Sequence, residues 1–309
     1  MSLIMPEALA SVRTLGLDLS KNVITACGLN AHGDIVLRRN LHFPACHALL
    51  AQLAADAVIA MEACGSAHYW ARAVQARGLT ARMMAADFVA PFRKSKKTKN
   101  DANDAEAIAI ACQQPRMRFV SVKTEAQQTR LAVHVLREGW KSERTALINR
   151  TRGLLFEFGI AIALSTTAFH KALHAAQSND QLPPLLHQAL RQISQHLREV
   201  EQRIDDCEQQ IGQHLKHDPV ATRLKAIPGI GPLTADAISA SVHNAGDFKN
   251  GRQFAAWLGL VPRQYSTGGK PTLGKITRRG DAYLRGLLSQ CSRSTLQTAL
   301  RKEDLLRTR

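Results

Sequence analysis

The sequence pattern changes along this chain, from alternating strand and helix signals in the first third to long stretches of helical spacing in the middle. Five short β-favouring runs are separated by turns and helical segments, and they cover residues 12–19, 22–29, 35–41, 57–61 and 79–84. Three strands joined as hairpins and followed by a βαβα run predict a mixed sheet covered by helices. We therefore expect an α/β domain over residues 1–122.

Two long polar segments follow, at residues 124–158 and 185–215. Their apolar residues recur at spacings of three and four, which predicts two long helices. Turn-forming residues, including Pro183 and Pro184, predict a loop over 166–184. A helical hairpin of this kind is either a dimerising coiled coil or a spacer arm, and the spacing leaves both open. We assign residues 123–218 to a helical coiled-coil or dimerisation region.

The chain is strongly basic, with 41 Lys and Arg residues against 25 Asp and Glu and a formal net charge of +16. The surplus is concentrated near the C-terminus, where residues 263–309 hold 11 basic and three acidic residues. Such a surface attracts polyanions and gains affinity by releasing their counterions. We expect residues 219–309 to form a separate, basic and mostly α-helical domain.

Several classes of protein are excluded by composition. Hydrophobic residues make up 45% of the chain and charged residues 21%, which excludes a disordered or fibrous protein. No apolar run approaches the length of a membrane span, and no signal peptide is visible. The six cysteines are spread singly, which argues against a zinc ribbon or a disulfide framework. These features predict a cytoplasmic protein without a membrane partner.

Four carboxylates in the first domain are candidate metal ligands. Asp18 lies within an apolar strand run, and Glu62 ends the strand predicted at 57–61. A buried ionised carboxylate is costly unless a cation compensates it. Asp101 and Asp104 are three residues apart at the start of a predicted helix, so both project to one side. Oxygen ligands of this kind suit Mg²⁺, and four acids suffice for a two-ion site that transfers phosphoryl groups. The alternatives are a surface strand position for Asp18 and simple helix capping for the other pair.

A run of basic residues comes directly before Asp101. A solvated loop is the alternative interpretation, but a basic loop beside metal ligands would also bind a nucleic-acid backbone. Its candidate contacts are Arg93, Lys94, Lys96, Lys97 and Lys99.

Two glycines in the C-terminal part, Gly229 and Gly231, lie in a segment that reads as a helix-hairpin-helix turn. Such a turn directs backbone N–H groups at DNA phosphates near the start of the next helix. An ordinary glycine-rich helix connection is the alternative.

Ser266 is a candidate nucleophile, because a hydroxyl beside glycines and cations can attack a phosphodiester while the cations stabilise the transition state. The alternative is a serine that only donates a hydrogen bond to phosphate. The accompanying basic residues are Lys270, Lys275, Arg278 and Arg279.

Five motifs occur in an order that resembles one known family. They span residues 15–21, 61–65, 99–105, 227–232 and the stretch from Trp257 to Asp281. In content and order they are similar to the DEDD-type transposases of the IS one-ten family of bacterial insertion sequences. The resemblance extends from about residue 12 to residue 294.

This resemblance implies a ribonuclease H-like fold, as in Holliday-junction resolvases, for the first domain, and a coiled coil joining it to a C-terminal transposase domain. It implies that Asp18, Glu62, Asp101 and Asp104 hold Mg²⁺ or Mn²⁺, as two ions, and it places the family's serine nucleophile on Ser266. The implied partners are the DNA of the element ends and target, together with a structured guide RNA. Recombination joins four DNA ends, so we also expect a homo-oligomer, from dimer to tetramer.

Three functions are weighed. The first is a bacterial DNA transposase that excises its own insertion sequence and inserts it at specific sites by metal-dependent phosphoryl transfer, through a serine–DNA intermediate. The second is a resolvase-like, structure-specific nuclease that uses metal-activated water. The third is a non-catalytic nucleic-acid-binding protein in which the acids are structural.

Overall fold

The computed structural model describes residues 6–93 and 101–302, which fall into two compact units, Met1–Thr124 and Glu125–Arg309. The basic residues Lys94, Lys96, Lys97 and Lys99 lie outside the described residues.

A five-stranded mixed sheet with the strand order β3-β2-β1-β4-β5 forms the centre of the first unit. β1 pairs antiparallel with β2, which pairs antiparallel with β3, while β1, β4 and β5 are parallel neighbours. This confirms the predicted mixed sheet covered by helices. The strands are β1 (Thr14–Leu19), β2 (Ile24–Leu29), β3 (Ile35–Leu41), β4 (Val58–Glu62) and β5 (Thr80–Met84). The helices are α1 (Pro6–Ala10), α2 (Phe43–Leu50), α3 (Ala67–Gln75), α4 (Ala86–Val89) and α5 (Asp101–Cys112).

The two faces of the sheet bury different sets of residues, as strand alternation requires. Leu15 and Leu17 of β1 belong to a buried cluster that includes Trp70 of α3. On the opposite face, Gly16 lies against α5, and a Cβ at Gly16 would be 2.2 Å from the carbonyl oxygen of Ala105. The absence of a side chain at residue 16 therefore lets α5 approach β1 closely.

Helices form most of the second unit. Apolar residues buried at intervals of three and four along α8 include Leu197, Val200, Ile204, Ile211 and Leu215, and α8 packs along α6. The two long helices confirm the sequence prediction. The elements of this unit are α6 (Glu125–Phe156), α7 (Thr166–Gln177), α8 (Pro184–His217), α9 (Pro219–Lys225), α10 (Pro232–Ser241), α11 (Gly251–Trp257), β6 (Pro262–Thr267), β7 (Lys270–Ile276) and α12 (Ala282–Lys302).

The loop predicted over 166–184 is wrong for its first two thirds, because α7 occupies Thr166–Gln177. Ser165 caps this helix by accepting a hydrogen bond from the N–H of Ala168. Phe169 and Leu173 are buried in a cluster with Leu155 of α6. The turn-forming residues were correctly identified, but they act only after α7 has ended.

β6 and β7 form a two-stranded antiparallel hairpin, here called the serine hairpin, in a region expected to be mostly helical. Gly268 and Gly269 connect the strands with φ values of 58° and 76°. Two-residue hairpin turns of this type need positive φ at both central positions, which glycine adopts without steric cost. Both strands are exposed along their whole length.

Among the described residues, no helix combines the length and apolar character that a membrane crossing requires.

Candidate active site

Asp18 and Glu62 lie at the same edge of the sheet because they stand near the carboxyl ends of neighbouring parallel strands, β1 and β4. Leu17 of β1 pairs with Met61 of β4, and each acid follows its strand's paired residue by one position. Leu17 and Met61 are fully buried on one face, so alternation directs the two acids to the face covered by α5. Both are half-buried.

The first turn of α5 brings two further acids to this edge. Oxygens of Asp18, Asp101 and Asp104 all lie within 4.8 Å of one another, and we call these three residues the acidic cluster. Asp104 is buried, with 7% of its surface exposed, whereas Asp101 is exposed. The close approach of α5 to Gly16 is what places these carboxylates beside the end of β1.

Glu62 reaches the acidic cluster through a cation. The guanidinium of Arg93 lies 2.8 Å from Glu62 Oε1 and 2.9 Å from Asp104 Oδ1. One arginine therefore compensates two carboxylates and bridges Glu62 and Asp104. The structure thus groups three of the four predicted acids directly and connects the fourth by way of Arg93, which the sequence had assigned to nucleic-acid binding.

The donor set fits a hard divalent cation. Every candidate ligand atom in the acidic cluster is a carboxylate oxygen, the ligand type that Mg²⁺ and Mn²⁺ prefer. Three carboxylates this close together repel one another unless positive charge is nearby. The arrangement can therefore concentrate cations at the sheet edge.

A second ion pair on α5 was missed by the sequence analysis. Arg38 of β3 donates to Glu106 Oε2 at 2.6 Å, and Glu106 is only 5% exposed. Glu106 lies in an alanine-rich stretch of α5. An acid among small apolar residues was the sequence signal that could have predicted a buried ion pair. This pair helps hold α5 across β1 and β2.

Ser266 lies on β6 near the tip of the serine hairpin and is exposed. Its Oγ accepts a hydrogen bond from Nε2 of Gln264 at 2.8 Å. The sequence analysis did not identify Gln264 as a functional residue, although residues two apart on a strand share a face.

The predicted cations lie on and just after this hairpin. Lys270 pairs with Thr267 across the turn, Lys275 is exposed on β7, and Arg278 adopts a positive φ of 55°. The backbone of Arg279 packs so tightly on Gly259 that a Cβ there would be 2.0 Å from its carbonyl oxygen. The base of the hairpin is therefore fixed against the end of α11.

Gly229 and Gly231 have different structural roles in the turn between α9 and α10. Gly229 has a φ of 85°, and a Cβ there would lie 1.9 Å from Thr295 Oγ1 of α12. Gly231 is the N-cap of α10, with open space around it. Gly229 is thus required for packing, and phosphate binding by either glycine stays a prediction.

A buried polar network inside the second unit was also missed. Asp236 of α10 accepts hydrogen bonds from Arg130 at 2.6 Å and from His134 Nε2 at 2.9 Å, both from α6. Arg130 also donates to Asp218 at 2.8 Å, and His134 Nδ1 lies 2.9 Å from the Tyr283 hydroxyl of α12. We call Arg130, His134, Asp218, Asp236 and Tyr283 the buried network. Arg130 and His134 are four apart on one helix face, which was the only sequence signal for it.

The buried network shifts the pKa values of its members. Burial would raise the pKa of Asp236, but hydrogen bonds from His134 and Arg130 outweigh it and hold the pKa below its ordinary value. Burial also opposes ionisation of Asp218, yet hydrogen bonds from Ser239, the Ala221 N–H and Arg130 lower its pKa to about 2. Burial raises the pKa of Tyr283 to about 12. Both carboxyl groups therefore stay ionised at neutral pH.

Two families of known proteins match this chain, and their matches include residues of both units. Residues 15–160 match a family described as Transposase, of the IS110 DEDD type, and residues 221–305 match the Transposase IS116/IS110/IS902 family. The "Probable family 20 transposase" of Pseudomonas aeruginosa is 44% identical over 94% of this chain and 86% of its own length.

Two further relatives match at similar coverage. The "Transposase for insertion sequence element IS1328" of Yersinia enterocolitica is 37% identical over 93% of this chain and 85% of the relative. The "Transposase for insertion sequence element IS1111A" of Coxiella burnetii is 35% identical over 96% and 82%. The chain therefore belongs to the IS110 family of DEDD transposases, which are enzymes that cleave and transfer DNA strands.

Proposed function

We propose that this protein is the transposase of a bacterial insertion sequence, which excises its own element and inserts it at specific sites by metal-dependent phosphoryl transfer. The observation that carries the proposal is the acidic cluster, in which three carboxylates from distant positions bring oxygens within 4.8 Å in a chain of this family. Carboxylates grouped in this way can hold the divalent cations that assist phosphodiester cleavage.

The first unit is proposed to be a ribonuclease H-like domain. Its support is the sheet, in which three antiparallel strands are followed by β4, parallel to β1, and β5, parallel to β4, in the order β3-β2-β1-β4-β5. The acids lie at the carboxyl ends of β1 and β4, where side chains of parallel neighbours converge. The helix-hairpin-helix of the C-terminal part is proposed on its turn with Gly229 and Gly231, and the three domain boundaries at 1–122, 123–218 and 219–309 are proposed on the changes in sequence pattern. The coiled-coil role of α6 and α8 is proposed on their helical spacing and on the resemblance to the family.

Asp18, Asp101 and Asp104 would hold Mg²⁺ or Mn²⁺, with Glu62 completing a two-ion site. Bound there, the cations would supply Lewis-acid stabilisation of charge on a phosphodiester. Arg93 already contacts Glu62 and Asp104, so this residue must yield its contacts if both acids are to act as ligands.

Ser266 is proposed to be the nucleophile. Its support is an exposed position on a hairpin whose surroundings, from Phe248 to Gly280, contain no acidic residue and seven Lys or Arg residues. Lys270, Lys275, Arg278 and Arg279 would neutralise charge on the scissile phosphate as the transition state forms. Some other group must take the hydroxyl proton, since no histidine or carboxylate contacts Ser266 in the described part of the chain.

The partners proposed for this site are the DNA of the element ends and of the target, together with an element-encoded guide RNA. A homo-oligomer, from dimer to tetramer, would hold the several active sites that strand exchange between four ends requires. Such a reaction would take place in the bacterial cytoplasm, at the nucleoid.

Trapping of a covalent protein–DNA adduct tests the serine mechanism. We expect wild-type protein to form an adduct with a nicked element-end substrate, Ser266→Ala to form none, and Thr267→Ala, a matched neighbour on the same strand, to behave as wild type. Asp104→Asn should also abolish the adduct while DNA binding persists. The rate of strand exchange by the double variant should be little lower than that of either single variant, because the two groups act as one unit.

The water-based nuclease is the second candidate, and it is favoured by the grouping of the acidic cluster within the first unit, independent of Ser266. Strand cleavage by Ser266→Ala at the wild-type rate would establish this candidate. Unchanged activity on DNA in Asp18→Ala would instead favour the non-catalytic nucleic-acid-binding protein.

A further inference from the structure

Gln264 and Ser266 share one face of the serine hairpin. They are two residues apart on β6, and the amide Nε2 of Gln264 donates to Ser266 Oγ at 2.8 Å. Their cross-strand partners on β7 are Leu273 and Pro271, neither of which has a polar side chain. Among the described side-chain hydrogen bonds, the contact from Gln264 is the one that Ser266 makes.

We propose that Gln264 is a positioning residue that orients the Ser266 hydroxyl and stabilises negative charge on its oxygen. The inference rests on the proposed function, in which Ser266 is the nucleophile. It adds a group that the family match does not assign.

The hydrogen bond restricts what Oγ can do. A serine hydroxyl has one proton to donate and two lone pairs. Because the Gln264 amide occupies one lone pair, the hydroxyl proton points elsewhere and the second lone pair stays available for attack. A neutral amide cannot take up the proton at physiological pH, so Gln264 is not the general base.

Exposure makes this orientation necessary. Both strands of the hairpin are exposed, so packing within the described chain does not select one of the three staggered rotamers of Ser266. The backbone of Ser266 is nevertheless held by its pairing with Pro271 in the β6–β7 ladder. Gly259 and Gly280 in turn allow tight contacts at the base of the hairpin. A fixed backbone with a free hydroxyl needs one further contact to aim the oxygen.

The same contact assists the chemistry in both directions. In cleavage, Oγ forms a bond to phosphorus, the bond from phosphorus to the leaving strand's oxygen breaks, the serine proton passes to water, and the leaving oxygen gains a proton from water. In rejoining, a strand hydroxyl attacks phosphorus, its proton passes to water, the Oγ–P bond breaks, and Oγ regains a proton. In rejoining, negative charge develops on Oγ as its bond to phosphorus breaks, and in cleavage it develops on Oγ as the serine proton departs. The N–H donor stabilises the charge in both cases.

Single-turnover cleavage of a duplex element end, by full-length protein, tests the proposal. We expect Gln264→Ala to cleave about tenfold more slowly, as the loss of one hydrogen bond to a developing charge implies, with the Kd for DNA within about twofold of wild type. Thr272→Ala is the matched control, because Thr272 is an exposed hairpin residue paired with Tyr265, on the other face. It should cleave at the wild-type rate.

A pH profile separates this role from a merely structural one. Gln264→Glu places a carboxylate beside Oγ, so its rate relative to wild type should be below that of Gln264→Ala at pH 8. The ratio should rise as the pH falls to about 4, through the ordinary Glu pKa of about 4.3, because the carboxyl is then protonated. Melting temperatures of both variants should match that of Thr272→Ala.

Two results would overturn the inference. Equal cleavage rates for Gln264→Ala and Thr272→Ala would do so, as would a defect confined to the Kd for DNA. Loss of cleavage in Ser266→Ala alongside either result would leave the proposed function intact. Wild-type cleavage by Ser266→Ala would instead remove the nucleophile, and the proposed function with it.

Discussion

Arg93 illustrates at the residue scale how charge is balanced at the sheet edge. It contacts both Glu62 and Asp104, in a region where Asp18 and Asp101 add further negative charge. A guanidinium can donate hydrogen bonds to two carboxylates at once, because its N–H groups form a planar fork. Arg93 is therefore placed to compete with a divalent cation for two of the four predicted ligands.

We predict that Arg93→Gln raises the affinity of the protein for Mn²⁺ by roughly tenfold, or about 1.4 kcal/mol, because a competing positive charge is removed. Isothermal titration calorimetry in the absence of DNA measures this directly. Arg13→Gln is the control, since Arg13 forms an exposed ion pair with Asp56 and does not contact the acidic cluster. Unchanged or weaker Mn²⁺ binding in Arg93→Gln would show that Arg93 and the metal do not compete.

The contact between β1 and α5 decides at the element scale whether the acidic cluster forms. Gly16 lies where a Cβ would be 2.2 Å from the Ala105 carbonyl oxygen and 2.7 Å from the Ala109 N–H nitrogen. Backbone atoms cannot move aside individually, so any side chain at residue 16 must push α5 away from the sheet. Asp101 and Asp104 would move with the helix.

Gly16→Ala should therefore destabilise the protein by about 1–3 kcal/mol, as overpacked cores do, and should weaken Mn²⁺ binding together with activity. Thermal unfolding and calorimetry measure the two effects. Gly139→Ala on α6 is the matched control, because nothing lies within 4 Å of a Cβ there and alanine favours the helix. Full Mn²⁺ affinity in a folded Gly16→Ala variant would show that the acidic cluster does not depend on the close approach of α5 to β1.

α7 is a second element whose stability comes from tertiary packing. Phe169 is fully buried against residues from α6 and α8, while Ser165 caps the helix. We expect Phe169→Ala to cost about 3–5 kcal/mol and Ser165→Ala about 1 kcal/mol of unfolding free energy, by chemical denaturation. Equal small losses in both would mean that the buried cluster does not hold α7 in place.

Charge acts at the scale of the whole molecule in two opposite ways. The net charge of +16 favours a polyanionic partner, whereas inside the second unit the buried carboxylate of Asp236 and the partly buried carboxylate of Asp218 stay ionised beside Arg130 and His134. The buried network connects α6 to α10 and α12, and Asp218 also caps α9. Removing one member leaves a charged partner without compensation. The resulting loss of folding free energy is larger than the net stabilisation that the intact ion pair provides.

Asp236→Asn should destabilise the protein by about 3–5 kcal/mol at pH 7, because Arg130 loses a charged partner in a buried position. Asp205→Asn, at an exposed position on α8, should change stability little. Equal thermal midpoints for the two variants would contradict the role given to the buried network.

The depressed pKa values also predict an acid limit. Asp218 and Asp236 have pKa values below the ordinary 3.8, so their contribution is fully present above about pH 4 and is lost as the pH falls towards 2. Denaturant titrations from pH 6 to pH 2 should show this loss, and Asp236→Asn should show a smaller one. A wild-type stability that is flat down to pH 2 would be inconsistent with these shifts.

The sequence by itself determined the features that depend on neighbours along the chain. Short β-favouring runs bounded by turn or helix signals predicted all five strands of the first unit. An acid within or at the end of an apolar strand marked Asp18 and Glu62 as unusual. The paired glycines at 268 and 269 were a readable hairpin signal between β-favouring residues, although the sequence analysis did not use it. Turn-forming residues at 178–184 correctly marked a break, but α7 reaches almost to it because burial of Phe169 and Leu173 stabilises a helix that local propensity left undecided.

Only the tertiary structure decided which distant residues meet. The position of β1 in the sheet and the absence of a side chain at Gly16 bring Asp18 close to Asp101 and Asp104. No spacing of residues along the chain predicts that α5 packs against β1 at this point. Likewise, Arg93 appeared to be one cation in a basic run until folding placed it between Glu62 and Asp104, and Asp236 appeared to be an ordinary helical acid until Arg130 and His134 enclosed it. The reason is physical: propensity and periodicity act over a few residues, whereas ion pairing and close packing depend on distances in space that many long-range contacts set together.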